Sequence, residues 1–351
     1  MKTLFAALSL LALVVASHGP SLSAQSGTSG TWKASFDSWN RGERQVYLQM
    51  ERGNGQFGTS FRFSELRGLG EHDDRWSSAG EVRFSLVRDA GTVDFRGSFD
   101  RGRGTGTYTF APNAAFVAAM RQRGARDLDD EAMLRLAMHD VSREFIASIE
   151  ALGYKGVDID DLVRMRIHGA SADYITRMRQ AGYDQLSIDD LVRSRIHGAT
   201  PEFAQKVRAA GYDRQDLSTL VRMRIHGVSP EFISTVRDLG FKSVDIDDLV
   251  RMRIHGVSPE FIASIRDLGY KDVDLDDLVR MRIHGVSPSF IKEMKEAGYP
   301  DLSINRLVQF RIHGVDAAFV RKAQEAGFKN LDDQDLVDLS IHGRRWLDKR
   351  R

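Results

Sequence analysis

Ten histidines occur in this chain, and eight of them (His139, His168, His197, His226, His255, His284, His313 and His342) follow one another at a constant spacing of 29 residues. Imidazole is a common ligand for zinc, copper and nickel, so a row of them raises metal chemistry first. Two residues before each of the six inner histidines stands an arginine: Arg166, Arg195, Arg224, Arg253, Arg282 and Arg311. A row of guanidiniums offers planar, two-pronged donors to the carboxylates of a peptide or an acidic glycan.

Each row also has a purely architectural reading. A histidine placed just before a helix-ending glycine can satisfy a last-turn carbonyl and complement the helix dipole. A metal ion needs its ligands a few ångströms apart, whereas packed helical hairpins are spaced by ~8–10 Å. Capping is therefore the favoured role; His168, His197, His226, His255, His284 and His313 are the metal candidates, and no cofactor is expected. On a helical wheel Arg166 falls between Leu162 and Val163, near the middle of an apolar face shared with Ile159, and its five counterparts do the same. A charge turned toward a packed interior must be paired. The favoured expectation is a ladder of arginines bonded to helix C-terminal carbonyls or to aspartates of adjacent units. The alternative is a groove between hairpins in which these six arginines receive a ligand's carboxylates.

Other chemistries find no residues. Asp272-Val-Asp274-Leu-Asp276-Asp277 opens like a calcium loop but lacks the glycine at its sixth position and the closing glutamate. No His-Glu-x-x-His, Gly-x-Ser-x-Gly or Ser-x-x-Lys pattern occurs, and the absence of cysteine excludes thiol chemistry and disulfides.

The element that positions these rows is a unit copied eight times, beginning at Asn113, Ser142, Ser171, Thr200, Ser229, Ser258, Ser287 and Asp316. All are good N-cap residues, and proline follows in copies four to seven. In the copy from Ser258, a first helix places Phe261, Ile262, Ile265 and Leu268 on one face and stops at Gly269. A second helix, capped by Asp274, runs through Arg282 and His284 to Gly285. A hairpin of two such short helices buries too little alone, so neighbouring copies must complete its core, as in a solenoid. The end copies depart from the pattern as capping units should. The first has Ala125, Ala132 and Ala137 where inner copies carry an aromatic, Asp and Arg, and the last has Asp338 and Ser340 in arginine positions.

Residues 26–112 read differently. Alternating runs at Trp32–Phe36, Gln45–Arg52, Phe57–Phe63, Val82–Arg88, Val93–Phe99 and Thr105–Phe110, separated by turn signals, predict a small antiparallel β-sandwich or barrel. The glycine-rich run Gly97–Gly106 lacks the Gly-Lys-Ser/Thr ending of a phosphate loop and reads as a hairpin. Trp32, Trp39 and Trp76 are expected as core or turn anchors, with a ligand cup as the alternative.

Residues 1–24 look like a secretory signal peptide: Lys2, an apolar run from Leu4 to Val15, and small residues with cleavage after Ala16, Ser23 or Ala24. The protein is thus expected in the periplasm or outside the cell, with no transmembrane segment in the mature chain. The chain carries 50 basic and 49 acidic residues, and loss of Lys2 balances them, leaving no general attraction to nucleic acid. Residues 345–351 form a short basic tail.

Strings such as Leu249-Val-Arg-Met-Arg-Ile-His-Gly-Val-Ser-Pro-Glu-Phe261 and Ile265-Arg-Asp-Leu-Gly-Tyr270 resemble helical repeats appended to bacterial membrane zinc metallopeptidases of the β-lactam-sensor (BlaR/MecR-like) type. The preceding Val82–Thr92 and Gly97–Phe110 segments are similar to a β segment found beside such repeats. The peptidase motif is not in this sequence, so the resemblance carries over no proteolytic residue. It implies an extracytoplasmic bacterial module that partners an envelope sensing system. Together these readings define an α+β multidomain chain: a β domain at 26–112, then an α-solenoid of eight 29-residue hairpins at 113–344. Its expected activity is non-enzymatic binding of a protein or peptide, with a metal- or acidic-ligand binder as the alternative.

Overall fold

The computed structural model describes residues 28–40, 43–53, 55–70 and 80–343. The expected leader, the basic tail and Trp76 lie outside the described residues, as does the side chain of Trp39. The chain divides into two compact units, one ending at Arg166 and the other beginning at Ile167.

The first unit opens with seven strands: β1 (Thr28–Asn40), β2 (Glu43–Arg52), β3 (Gly55–Arg62), β4 (Leu66–Arg67), β5 (Gly80–Arg88), β6 (Gly91–Asp100) and β7 (Arg103–Pro112). They form one antiparallel sheet in the order β3-β2-β1-β7-β6-β5-β4, not the two faces of a sandwich and not a closed barrel. The sheet is curled. β1 and β5 are three strand spacings apart, about 14 Å on a flat sheet. Trp32 on β1 nevertheless lies 5.4 Å from Phe84 on β5, ring centre to ring centre. Glycine permits this bend: Gly97 on β6 pairs with Gly106 on β7, which pairs with Trp32 on β1. A Cβ on Gly97 would stand 2.7 Å from the indole, and one on Gly106 only 2.0 Å from the Arg96 carbonyl oxygen. The indole is fully buried and its N–H donates to the carbonyls of Arg96 (3.2 Å) and Thr107 (3.1 Å), so Trp32 is a core anchor. The glycine-rich run is the β6–β7 hairpin, turning at Arg101 and Gly102, both in left-handed conformation.

Four helices follow: α1 (Ala114–Gln122), α2 (Asp130–Met138), α3 (Arg143–Ala151) and α4 (Ile159–His168). α2 packs against β1, β5, β6 and β7, burying Met133, Leu136, Ala137 and Met138. Here the structure gives a second meaning to the alanines of the first copy. Ala137, where inner copies have arginine, is fully buried in this contact. The joint is also polar: the Asp89 carboxylate, in the β5–β6 turn, takes two prongs of Arg143 (2.6 and 3.1 Å) and the Arg143 backbone N–H at 2.8 Å. Arg143 holds the Asp89 carboxyl below its ordinary range.

The second unit continues with α5 (Ala172–Gln180), α6 (Ile188–His197), α7 (Pro201–Ala209), α8 (Leu217–Ile225), α9 (Pro230–Asp238), α10 (Ile246–Ile254), α11 (Pro259–Asp267), α12 (Leu275–Ile283), α13 (Pro288–Glu296), α14 (Ile304–His313), α15 (Ala317–Glu325) and α16 (Asp333–His342). Second helices pack on second helices (α6 on α8, α8 on α10, and so on to α16), and among the first helices α9 packs on α11 and α11 on α13. Ser171, Thr200, Ser229, Ser258, Ser287 and Asp316 each accept the backbone N–H three residues on, fixing where every first helix starts. No described helix is long and apolar enough to cross a membrane.

Candidate functional site

Each second helix of the second unit buries residues of one arc, such as Leu220, Val221 and Met223 in α8. Arg224 leaves from the middle of that arc but in the last turn of its helix. Its exposed side chain lies against a ring of its own copy's first helix and the C-terminus of the preceding copy's second helix instead of entering the core. Its guanidinium lies 5.1 Å above the Phe203 ring, and its Nε–H donates to the His197 carbonyl at 3.4 Å. The arrangement repeats. Arg195 covers Tyr174 and reaches the His168 carbonyl at 3.0 Å; Arg253 covers Phe232 and reaches His226; Arg282 covers Phe261 and reaches His255. Arg311 covers Phe290 at 5.0 Å. Thus the ladder to C-terminal carbonyls exists, but its charges are not interior: Arg195, Arg224, Arg253, Arg282 and Arg311 are all exposed.

The glycine after each histidine makes the shelf on which the guanidinium rests. Gly227 holds φ +71°, and a Cβ there would approach Nη2 of Arg253 to 2.9 Å. In the first unit the equivalent position is Asp140, at φ +54°, and its carboxylate pairs with Arg166. Arg166 is thereby neutralised, while it also covers Phe145 and reaches the His139 carbonyl. The five later arginines have no carboxylate within ion-pair distance among the described residues. Each guanidinium lies over a ring with Nη2 against the glycine shelf, and those of Arg195, Arg224, Arg253 and Arg282 are also fixed by a carbonyl.

The histidines work through their main chain. It is the carbonyl of His168, His197, His226 or His255 that the next arginine caps, in place of the expected imidazole contact. Among the described residues no group of three or more histidine, aspartate or glutamate side chains is placed to hold a metal ion. In the first unit burial pushes the His139 imidazole below its ordinary pKa, with the nearby Arg135 charge adding to the effect.

Two further rows were not apparent from the sequence. The outer arginines bridge copies through aspartates, Arg222 to Asp247 and Arg251 to Asp276, and within the first unit Arg135 to Asp160 at 2.6 Å. The second row is apolar. Ile167, Ile196, Ile225, Ile254, Ile283, Ile312 and Ile341 are 50–55% exposed, whereas the remaining large apolar side chains of these helices are buried or half-buried. Each isoleucine follows the ladder position, so the two rows run side by side along the stacked second helices. The wheel held the signal: at 100° per residue Ile167 lies about 140° from Leu162, outside the buried arc.

Comparison with protein-family models, with curated proteins and with solved structures finds no match to this chain.

Proposed function

We propose that the eight copies stack as an α-solenoid and that the chain is a non-enzymatic scaffold for an extended, acidic segment of a partner protein. The observation that carries this reading is the paired row on the second unit: five exposed guanidiniums with no carboxylate at ion-pair distance among the described residues, beside seven exposed isoleucines. A monomer gains nothing in stability from leaving one large aliphatic side chain per copy in water, and a regular row of such side chains suits a contact site. Stacked helices are ~8–10 Å apart, and an extended chain advances ~3.3 Å per residue. In the polyproline II form, whose ~3.1 Å rise and three residues per turn bring every third side chain to one face, a carboxylate at about every third residue would meet successive arginines, with apolar side chains between them covering the isoleucines. Fixing each guanidinium in advance lowers the entropy lost on binding. Export through a leader at 1–24, and a link to bacterial envelope sensing through the likeness of the repeat strings, belong to the same proposal.

The test uses the full chain as bait in cell-envelope extract, beside a variant with Ile196, Ile225, Ile254 and Ile283 changed to Ser. A protein retained by the first and lost by the second, through an acidic segment mapped by proteolysis, supports the reading. Equal retention by both contradicts it.

A further inference from the structure

In most copies the residue after the first-helix glycine is a tyrosine that locks onto the next copy. The Tyr183 hydroxyl donates to the Gln215 carbonyl at 2.7 Å, Tyr212 to Val244 at 2.5 Å, Tyr270 to Leu302 at 2.7 Å and Tyr299 to Leu331 at 2.9 Å. The offset is 32 residues each time. Burial raises the pKa of these hydroxyls, so each stays a protonated donor.

The first copy breaks this lock. Ala125 takes the tyrosine's place, and the carbonyl that would receive its hydroxyl is that of Val157. Both residues line an open groove of about 740 Å³ between the α1–α2 and α3–α4 hairpins, with Ile146, Ile149 and Leu162 as its apolar floor. The crevice beside Tyr212, where the ring is present, is about 390 Å³. No donor meets the Val157 carbonyl among the described residues. The groove also has a charge: six carboxylates line it against three guanidiniums. Two of those guanidiniums are already engaged, Arg123 with Glu150 at 3.2 Å and Arg135 with Asp160 at 2.6 Å.

We infer that this groove is a binding site for a small phenol bearing a cationic substituent. Its ring takes the place of the missing tyrosine, its hydroxyl donates to the Val157 carbonyl, and its cation faces the surplus carboxylates at the rim. The site lies wholly in the first unit and is independent of the arginine–isoleucine rows.

The test is calorimetric titration of the full chain with tyramine, phenethylamine and 4-hydroxyphenylacetate. Tyramine is expected to bind with a dissociation constant in the millimolar range or below. Loss of the hydroxyl in phenethylamine should weaken binding by about tenfold, the scale of one hydrogen bond. The anionic analogue should bind more weakly still. Ala125→Tyr restores the copy's own ring and should abolish tyramine binding while raising the thermal midpoint. Ala125→Phe fills the same space without a donor and should also abolish binding, with a smaller rise. The inference is overturned by no heat with tyramine, by equal affinity for all three compounds, or by undiminished tyramine binding in either folded variant.

Discussion

The seam between copies makes its most specific energetic prediction at Arg224. Removing this side chain as Arg224→Ala loses the contact with Phe203, worth ~0.5–1 kcal/mol at an exposed site. It loses a hydrogen bond to His197 whose 3.4 Å length places it at the weak end, about 0.5 kcal/mol. It also removes a cation from the C-terminus of α6, worth about 0.3–1 kcal/mol. The sum, discounted for solvent screening, is about 1.5 kcal/mol, which for a body of this size lowers the thermal midpoint by about 3–6 °C. The discriminating assay is a double-mutant cycle of Arg224→Ala and Phe203→Leu, read by urea denaturation. Phe203 is buried, and leucine keeps most of its packing while removing the π face. The two changes should couple by about 0.5–1 kcal/mol, because each alone destroys the same contact. Additivity within experimental error would show that the ring is only a neighbour, and the account of a pre-set guanidinium would fail.

Three further outcomes follow from the same geometry. Serine at Ile196, Ile225, Ile254 and Ile283 should leave the unfolding free energy read by urea within ~0.5 kcal/mol per site, since exposed side chains contribute little to the fold; a cooperative loss of structure in circular dichroism would place them in the core. In the third copy the fully buried Ser194, standing where four other copies have methionine, bonds Tyr174 at 2.8 Å. Ser194→Met alone should therefore cost about 1–3 kcal/mol by stranding a buried hydroxyl, and adding Tyr174→Phe should recover most of it; an additive double variant would refute the pairing. The lowered pKa of His139 contributes stability that is complete above the unfolded value of about 6.5 and is lost as pH falls through the folded one. His139→Gln should flatten that fall in the first unit, and an unchanged pH profile would count against the burial of the ring as its cause.

The helix starts were legible because capping is local chemistry: Ser258 or Thr200 announces itself without knowledge of any partner. Gly269 and its equivalents were legible for the same reason, since only a left-handed residue ends such a helix cheaply. The closure of the β region was not. Six runs were readable, but that they make one sheet depends on the β1–β7 pairing and on the bend at Gly97 and Gly106, which join residues far apart in sequence. The arginines were half legible. The wheel places them at the middle of the apolar arc, but it cannot show that a last-turn guanidinium reaches the preceding helix's C-terminal carbonyl and stays exposed. The same blindness hid Ile196 and its row, because an apolar residue inside an apolar pattern reads as core until the buried arc is known. Ala125 was visible as a departure from the repeat, but read as capping; only the hydroxyl–carbonyl locks of the other copies turn that alanine into a vacancy with a defined shape.

The central claim, that the paired rows receive an extended acidic segment, is tested most directly by affinity as a function of ligand length. The full chain would be titrated with unstructured peptides carrying a glutamate at every third position and leucine between, lengthened stepwise so as to reach from two to five of the exposed arginines. Peptides of identical composition with the glutamates clustered serve as the comparison. The account predicts that affinity rises with each added step, weakens with salt, and is lost when Arg224, Arg253 and Arg282 become Gln or the isoleucines become Ser. Affinity that ignores length and spacing, or that survives both sets of substitutions, would contradict it.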